Sequence, residues 1–392
     1  MEGDCAGDFR LDAPAVRQLL ERTCHEADEP KISAAQARAR LRSDLSLEEV
    51  ARLWTAPSLT AADLYAVARA ARRTCARRLE TFSPLYLTNT CDAECRMCGM
   101  RRANRALVRE TADLDAIEQQ LSILRRRGMH AVALLTGEYR TRQRAWSFRL
   151  ANHALRLSHA LGFRHVLLNV GSLDASEFPV LLDGIPRAAD GAVRPKITMC
   201  TFQETYAREV YARFMGVEPD NPRADYDRRL ANFDRSYRAG VRVANPGILV
   251  GLNPDLGFEL LALTLHARHL LGRGMEVYVS VPRLRQTAGG AVRRGADDAT
   301  FIRLVSVLAL ALPTCKIVLT TRESAEIQHT LVPIVSVLSA GSAAVAPYTP
   351  TGARFPLETS QFEVIDQRPF EHILAEWRSP TGIENFEPAP AD

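Results

Sequence analysis

From residue 80 onward the chain alternates short runs of apolar and β-branched residues with longer stretches whose apolar positions recur every three or four residues. The short runs predict strands at Ser83–Thr88, Ala131–Thr136, His165–Val170, Lys196–Thr201, Val241–Val250, Glu276–Val281, Lys316–Thr320 and Ala343–Ala346. The longer patterns predict helices, among them Leu114–Arg127, Ala145–Leu161, Arg223–Ala239, Leu260–Gly272 and Asp298–Leu312. Strands that alternate with helices in this way predict an α/β fold, a parallel (β/α)8 TIM-type barrel, in which active groups sit on the loops after the strands' C-terminal ends. An open doubly wound sheet is the alternative, weakened by the lack of a glycine-rich dinucleotide loop.

Before residue 80 the pattern is helical. Ser46 with Glu49 reads as a capping box ahead of Val50, Leu53 and Trp54, and Thr60 with Asp63 repeats the device before Leu64 and Val67. The expected organisation is a helical N-terminal extension (residues 1–80) packed on the main domain, the barrel (81–370) and a C-terminal tail (371–392).

Composition narrows the function. A chain of 392 residues with 46% hydrophobic and 24% charged content is an ordinary globular enzyme by composition. A net charge of +4, with no basic run interleaved with aromatics, gives no sign of nucleic-acid binding. Lysine occurs only at Lys31, Lys196 and Lys316, so arginine carries nearly all positive charge. Residues 1–10 are acidic and have no apolar core, and no apolar run is long enough to span a membrane. With clustered thiols, that reads as a cytoplasmic protein in a reducing compartment, with no membrane partner.

Three cysteines, Cys91, Cys95 and Cys98, stand together directly after the first predicted strand. Three thiolates can hold three irons of a [4Fe–4S] cluster and leave the fourth open to a small molecule. A structural zinc site would need a fourth ligand, usually from a second pair, and no second C-x2-C pair exists. Cys5, Cys24, Cys75, Cys200 and Cys315 are scattered singly and read as small buried apolar residues. None of the nine histidines has metal-ligand spacing; His165 is the one whose position best suits a general base.

The C-x3-C-x2-C spacing resembles that of the radical S-adenosylmethionine (SAM) enzymes, in which the open iron binds SAM and the cluster's electron yields a 5′-deoxyadenosyl radical. Thr136-Gly137-Glu138 after the second strand resembles the family's Gly-Gly-Glu motif, with threonine in place of the first glycine. The runs Gln203-Glu204-Thr205-Tyr206, Arg228-Arg229-Leu230, Thr320-Thr321-Arg322-Glu323 and Gln361-Phe362-Glu363-Val364 keep the order of the family's aromatic amino-acid lyase branch. This resemblance implies that Cys91, Cys95 and Cys98 hold the cluster, and that Gly137, Glu138, Gln203, Glu204, Tyr206 and Arg229 line the SAM site. It further implies that the backbone of Met97 meets the adenine.

Within the branch, Cys-Arg-Met-Cys-Gly-Met is most similar to the tryptophan lyases (3-methyl-2-indolic acid synthases) of thiopeptide antibiotic biosynthesis. The resemblance then implies that L-tryptophan is rearranged, with Arg322 and Ser339 holding its carboxylate and Tyr86 close by to position it, and that a reductant such as flavodoxin or ferredoxin supplies electrons. Arginine suits that role because its planar fork grips a carboxylate at two points. Two other expectations stand beside it: a thiamine-type tyrosine lyase, which needs no second cluster, and a non-catalytic iron–sulfur electron-transfer module.

Overall fold

A computed structural model describes residues 7–25, 45–72, 79–194, 196–290, 295–345, 347–349 and 356–378. Eight parallel strands close into a barrel in sequence order: β1 (Glu80–Tyr86), β2 (Ala131–Leu135), β3 (His165–Asn169), β4 (Lys196–Cys200), β5 (Val243–Asn245), β6 (Glu276–Ser280), β7 (Lys316–Leu319) and β8 (Val337–Ser339). The seam pairs Glu80 with Val337 and Phe82 with Ser339. The strands are almost wholly buried, as helices outside and side chains inside demand of a parallel barrel.

Two strand predictions differ from the structure. The eighth strand is Val337–Ser339, and residues 343–345 lie in the loop after it. Both stretches are short and apolar; the one that pairs is the one that the 3-10 turn Val332–Ile334 delivers beside β1. The fifth is shorter than Val241–Val250, because Pro246 has no N–H for a ladder. Beyond it the chain makes only isolated bridges, Gly247 to Ser280 and Val250 to Arg283.

The N-terminal helices are α1 (Ala13–His25), α2 (Leu47–Thr55) and α3 (Ala61–Arg72). The Ser46–Glu49 capping box is present, and Thr60 N and Asp63 N exchange bonds with the opposite side chains at 2.9 and 3.1 Å. Around the barrel follow α4 (Leu114–Arg126), α5 (Thr141–Ala160), α6 (Phe178–Leu181), α7 (Arg208–Met215), α8 (Tyr226–Leu230), α9 (Asn232–Arg238), α10 (Leu256–Gly272), α11 (Asp298–Ala311), α12 (Ala325–Leu331) and α13 (Phe370–Arg378). Helices α10 and α11 are apolar on nearly every face because the N-terminal helices cover their outer sides. Arg303 on α11 fixes that cover: its guanidinium donates to the carbonyls of Leu53, Trp54 and Ala56 at 3.0, 2.6 and 3.0 Å. The expected boundary at 371 falls inside α13, whose Phe370, Ile373, Leu374 and Trp377 are buried in the core.

The barrel's N-terminal end is plugged by charge. Glu80, Lys196, Glu276 and Lys316 open β1, β4, β6 and β7 and meet around the Tyr278 hydroxyl. Lys196 Nζ lies 2.8 Å from that hydroxyl and 2.8 Å from Glu276, and Lys316 lies 2.6 Å from Glu276. Two of the three lysines are used here, where a compact ammonium fits between carboxylates better than a guanidinium. His165 belongs to this floor, bonded to Thr198 Oγ1 at 2.6 Å. Burial, with Lys196 nearby, holds it well below its ordinary pKa, at the end away from the cysteines. A general-base role for His165 is therefore excluded by place. The chemistry belongs at the other end.

Candidate active site

The loop after β1 carries the three cysteines over the C-terminal mouth of the barrel. Cys91, Cys95 and Cys98 all line one cavity that runs into the barrel between the strand ends. Burial, then repulsion from the other two sulfurs, pushes the Cys91 thiol up. Burial likewise pushes Cys95 up to about 12, against the pull of Arg223. Coordination to a cation overrides such a rise, because a coordinating thiol is deprotonated outright. The donor arrangement fits a cluster. Ala93 N and Glu138 N stand 3.4 and 3.3 Å from Cys91 Sγ, and Gln361 Nε2 stands 3.4 Å from Cys98 Sγ. Among the described residues no group of three or more His, Cys, Asp or Glu converges as one metal ion requires, whereas a cubane takes one thiolate at each of separate corners.

Of the remaining cysteines, Cys200 and Cys315 are buried as expected. Cys24 is exposed, because it lies on the solvent side near the end of α1. Cys5 and Cys75 lie outside the described residues.

Beside the cluster loop sits a buried ionic group. Glu138, at the end of the Thr-Gly-Glu run, takes Ser172 N on Oε1 at 2.9 Å and Arg229 Nη1 on Oε2 at 3.0 Å, with Arg223 Nε 3.2 Å away. Burial raises this carboxyl, but Arg229 and Arg223 outweigh it and hold Glu138 below its usual range. Arg223 also reaches Glu204 at 3.1 Å and so bridges the two acids. Glu204 is the only non-glycine residue with positive φ (68°) among the described residues, a conformation kept only where surroundings impose it. Gly171 makes this packing possible: at φ +85° a Cβ would stand 2.2 Å from Glu138 Cγ. Gly137 does the same for the cysteine loop, since its Cβ would meet Thr90 O at 2.1 Å.

On the far side of the cavity, Arg322 follows β7. Its guanidinium lies over the Phe362 ring, 3.5 Å from Cζ to centroid, and donates to Arg283 O at 3.2 Å. It forms no ion pair among the described residues, whereas Arg283 and Arg285 both pair with Glu323. Burial lowers the Arg322 pKa, partly offset by Tyr86 and Glu204. A guanidinium that faces a cavity and has no ion-pair partner of its own can receive an anion there. Tyr86 ends β1 and donates to Gln361 Oε1 at 3.0 Å. Ser339 ends β8, its Oγ accepting from Thr321 N at 3.1 Å.

A strap, residues 357–366, crosses the mouth and closes this side. Thr359 O accepts from Asn89 Nδ2, Glu358 O from Val108 N and Gln361 O from Gly99 N, at 3.1, 2.8 and 2.9 Å. Ile365 N and Asp366 N both donate to Thr321 O at 3.0 Å.

Cys91, Cys95, Cys98, Gly137, Glu138, Glu204, Arg229, Arg322, Ser339 and Tyr86 thus meet around one cavity. Two expected residues do not. Tyr206 points away, its hydroxyl 2.7 Å from His266 Nδ1 and its N–H on Glu259. Gln203 is buried beside Tyr226, its amide 3.5 Å from that carbonyl. Both lie past the end of β4, where the chain turns at the positive-φ residue Glu204 and no strand sets the direction of their side chains. Met97, expected to act through its backbone, keeps its side chain buried in the core. Arg223 was missed, because the pattern Arg223–Ala239 reads as one helix and makes it a helix-start residue. The run is two helices with Arg223 outside both. Its only sequence signal is Pro222 before it, which marks a loop.

A (β/α)8 barrel with three cysteines on the loop after its first strand is the arrangement of the radical SAM enzymes, a class whose cofactors are a [4Fe–4S] cluster and SAM. No family model matches the chain. Among curated proteins it is similar to the 2-iminoacetate synthase of Escherichia coli (strain K12), 28% identical over 64% of this chain and 63% of that protein. It is also similar to the 2-iminoacetate synthase of Salmonella typhimurium, 27% identical over 78% and 77%. Among solved structures it matches the FeFe-hydrogenase maturase HydG from Carboxydothermus hydrogenoformans with a TM-score of 0.77 and 26% identity, over 94% of this chain and 83% of that one. These relatives overturn the tryptophan lyase expectation, and with it the place in thiopeptide biosynthesis. A six-residue run around two cluster ligands says little about a substrate bound across the barrel; similarity to 2-iminoacetate synthases over most of the chain outweighs it.

No helix among the described residues is long and apolar enough to cross a membrane.

Proposed function

We propose that the protein is a radical SAM carbon–carbon lyase that cleaves the Cα–Cβ bond of L-tyrosine to give 2-iminoacetate and p-cresol. The observation that carries this reading is the similarity to two 2-iminoacetate synthases over as much as 78% of the chain. An iminoacetate is what remains of an α-amino acid once its side chain has left from Cα.

Cys91, Cys95 and Cys98 would hold the cluster, and Glu138, with Gly137, Glu204 and Arg229 around it, would form the SAM side of the cavity. With both bound, the site supplies a primary carbon radical that removes a hydrogen atom from the substrate. The protein's own residues do the rest by position. Glu138, kept ionised by two arginines, suits an ammonium group. Arg322 grips the substrate carboxylate, and the Phe362 ring beneath it fixes the plane of the fork. Ser339 positions the Arg322 loop through Thr321 N. Phe82, Leu135, Leu167 and Val318 give apolar walls for an aromatic ring. Asn245 and Ser280, bonded to each other at 2.9 Å, offer polar atoms for a phenol. An external one-electron donor such as flavodoxin or ferredoxin completes the cycle. An electron-transfer module would need neither Arg322 nor a cavity that runs from the cysteines into the barrel.

The test is anaerobically reconstituted protein with SAM, a reductant, and tyrosine or tryptophan in parallel. p-Cresol from tyrosine, with 5′-deoxyadenosine in step, is expected. Inert tyrosine beside a carbon-skeleton product from tryptophan overturns the substrate, and no 5′-deoxyadenosine with either overturns the reaction class.

A further inference from the structure

Gln361 stands between two groups that the proposed function uses separately. Its carboxamide nitrogen is 3.4 Å from Cys98 Sγ, and its carboxamide oxygen is 3.0 Å from Tyr86 Oη. The backbone beneath it is fixed independently of the side chain. Gly99 N donates to Gln361 O at 2.9 Å, and a Cβ on Gly99 would come within 2.7 Å of that oxygen. The strap is thus seated on the cysteine loop so closely that only glycine fits, and the Gln361 side chain is aimed inward from a rigid base.

Elementary donor and acceptor rules then determine the direction of each bond. A thiolate that ligates iron has no proton and only accepts. The amide must therefore turn its NH2 to Cys98, which leaves its oxygen facing Tyr86. An amide oxygen only accepts, so the Tyr86 hydroxyl donates to it. A phenol has one proton. With that proton committed, Tyr86 presents only lone pairs to the cavity.

We propose that Gln361 is a positioning residue that makes Tyr86 an acceptor for the ammonium group of the amino-acid substrate and couples that contact to the cluster through Cys98. The inference rests on the amino-acid lyase reading above. It gives Tyr86 and Arg322 opposite tasks, the ammonium to the first and the carboxylate to the second, so the pair recognises a free zwitterion by both ends. It also makes substrate binding legible at the cluster. Hydrogen bonds to cluster sulfurs tune the reduction potential, and bonds in a chain strengthen one another. An ammonium on Tyr86 draws on the phenol oxygen, strengthens its donation to Gln361, and so strengthens the N–H bond to Cys98 Sγ.

The experiment is redox titration of the anaerobic holoenzyme, followed by the electron paramagnetic resonance of the reduced cluster, with and without tyrosine. Wild type, Gln361→Met and Tyr86→Phe are compared. In the wild type tyrosine is expected to raise the midpoint potential. Gln361→Met is expected to keep its iron, to have a lower potential without substrate, and to show no response to tyrosine. Its KM for tyrosine should rise about tenfold, the loss of one oriented hydrogen bond to a charged group, with a smaller change in kcat. Tyr86→Phe is expected to keep a near wild-type potential without substrate but to lose the response. A Gln361→Met enzyme with wild-type potential and wild-type response overturns the proposal, as does a Tyr86→Phe enzyme that still responds. Should Gln361→Met fail to hold a cluster, Tyr86→Phe decides alone, since it leaves Gln361 in place. If tyrosine is simply not the substrate, the wild type will not respond while the substrate-free difference between wild type and Gln361→Met persists.

Discussion

Arg322→Lys keeps a positive charge on the far wall of the cavity and removes only the planar fork. In the structure the fork is held by the Phe362 ring on one face and by Arg283 O at 3.2 Å on Nη1, which leaves its other N–H groups for an anion. A lysine ammonium on a shorter, flexible stem makes at most one well-directed bond to a carboxylate in that place. The lost bond is to a charged group and is worth about 1.5–3 kcal/mol, so the KM for tyrosine should rise about 10- to 150-fold. Arg322→Met removes the charge as well and should cost about 2–5 kcal/mol of binding, beyond practical saturation. Neither change strands a protein carboxylate, since Glu323 keeps Arg283 and Arg285. Substrate-free unfolding should therefore move by no more than about 1 kcal/mol. The assay is the initial rate of p-cresol release against tyrosine concentration, with denaturant unfolding of the same preparations. A KM for Arg322→Lys within twofold of wild type would refute the clamp. A large loss of substrate-free stability would show instead that Arg322 is a structural residue.

Glu138→Gln leaves Arg223 and Arg229 without their shared anion and should destabilise the fold by about 3 kcal/mol at neutral pH. The Glu138 carboxyl is held below its unfolded value of 4.5, so its contribution is present above that pH and is lost as pH falls through the folded value. Unfolding midpoints between pH 5 and 3 should fall more steeply in wild type than in Glu138→Gln, and parallel profiles would contradict the assignment. Gly171→Ala forces a Cβ to 2.2 Å from Glu138 at φ +85° and should lower stability by about 2 kcal/mol or more, with weaker SAM binding by calorimetry. Tyr278→Phe removes the hydroxyl at the centre of the barrel floor and should cost about 1–3 kcal/mol in denaturation. Because the floor is opposite the mouth, kcat for p-cresol release should stay near wild type; a large fall would mean that the floor takes part in catalysis.

The barrel was legible because its strands are covered on both faces and so appear as unbroken apolar runs. Seven of the eight could be placed this way. The eighth escaped because Val337–Ser339 is three residues long, and the nearby Ala343–Ala346 is equally apolar. That the three cysteines and Glu138 stand together at the C-terminal mouth was legible as a local pattern, since each follows directly on a strand end. Arg223 was not, because its importance lies in bridging Glu138 and Glu204, residues that come together only when the barrel closes. Gln203 and Tyr206 went the other way: a contiguous run suggested one shared site, but the turn at Glu204 leaves their side chains on Tyr226 and His266, away from the cavity. The substrate was the least legible property. It depends on which side chains face a cavity assembled from all eight strand ends, and a short run near the cluster carries none of that.

The strap has a consequence for how the protein is made. Its bonds to the cluster loop join residues some 270 positions apart, as in Asn89 to Thr359, and it arrives after every barrel strand. Contacts of such separation form late in folding and late in synthesis. Until residues 357–366 leave the ribosome, Cys98 lacks its amide donor, Tyr86 lacks its acceptor and Arg322 has no ring beneath it. A nascent chain can therefore display its three cysteines long before it has a chamber able to contain a radical. The order of the sequence keeps the ligands early and the closure last.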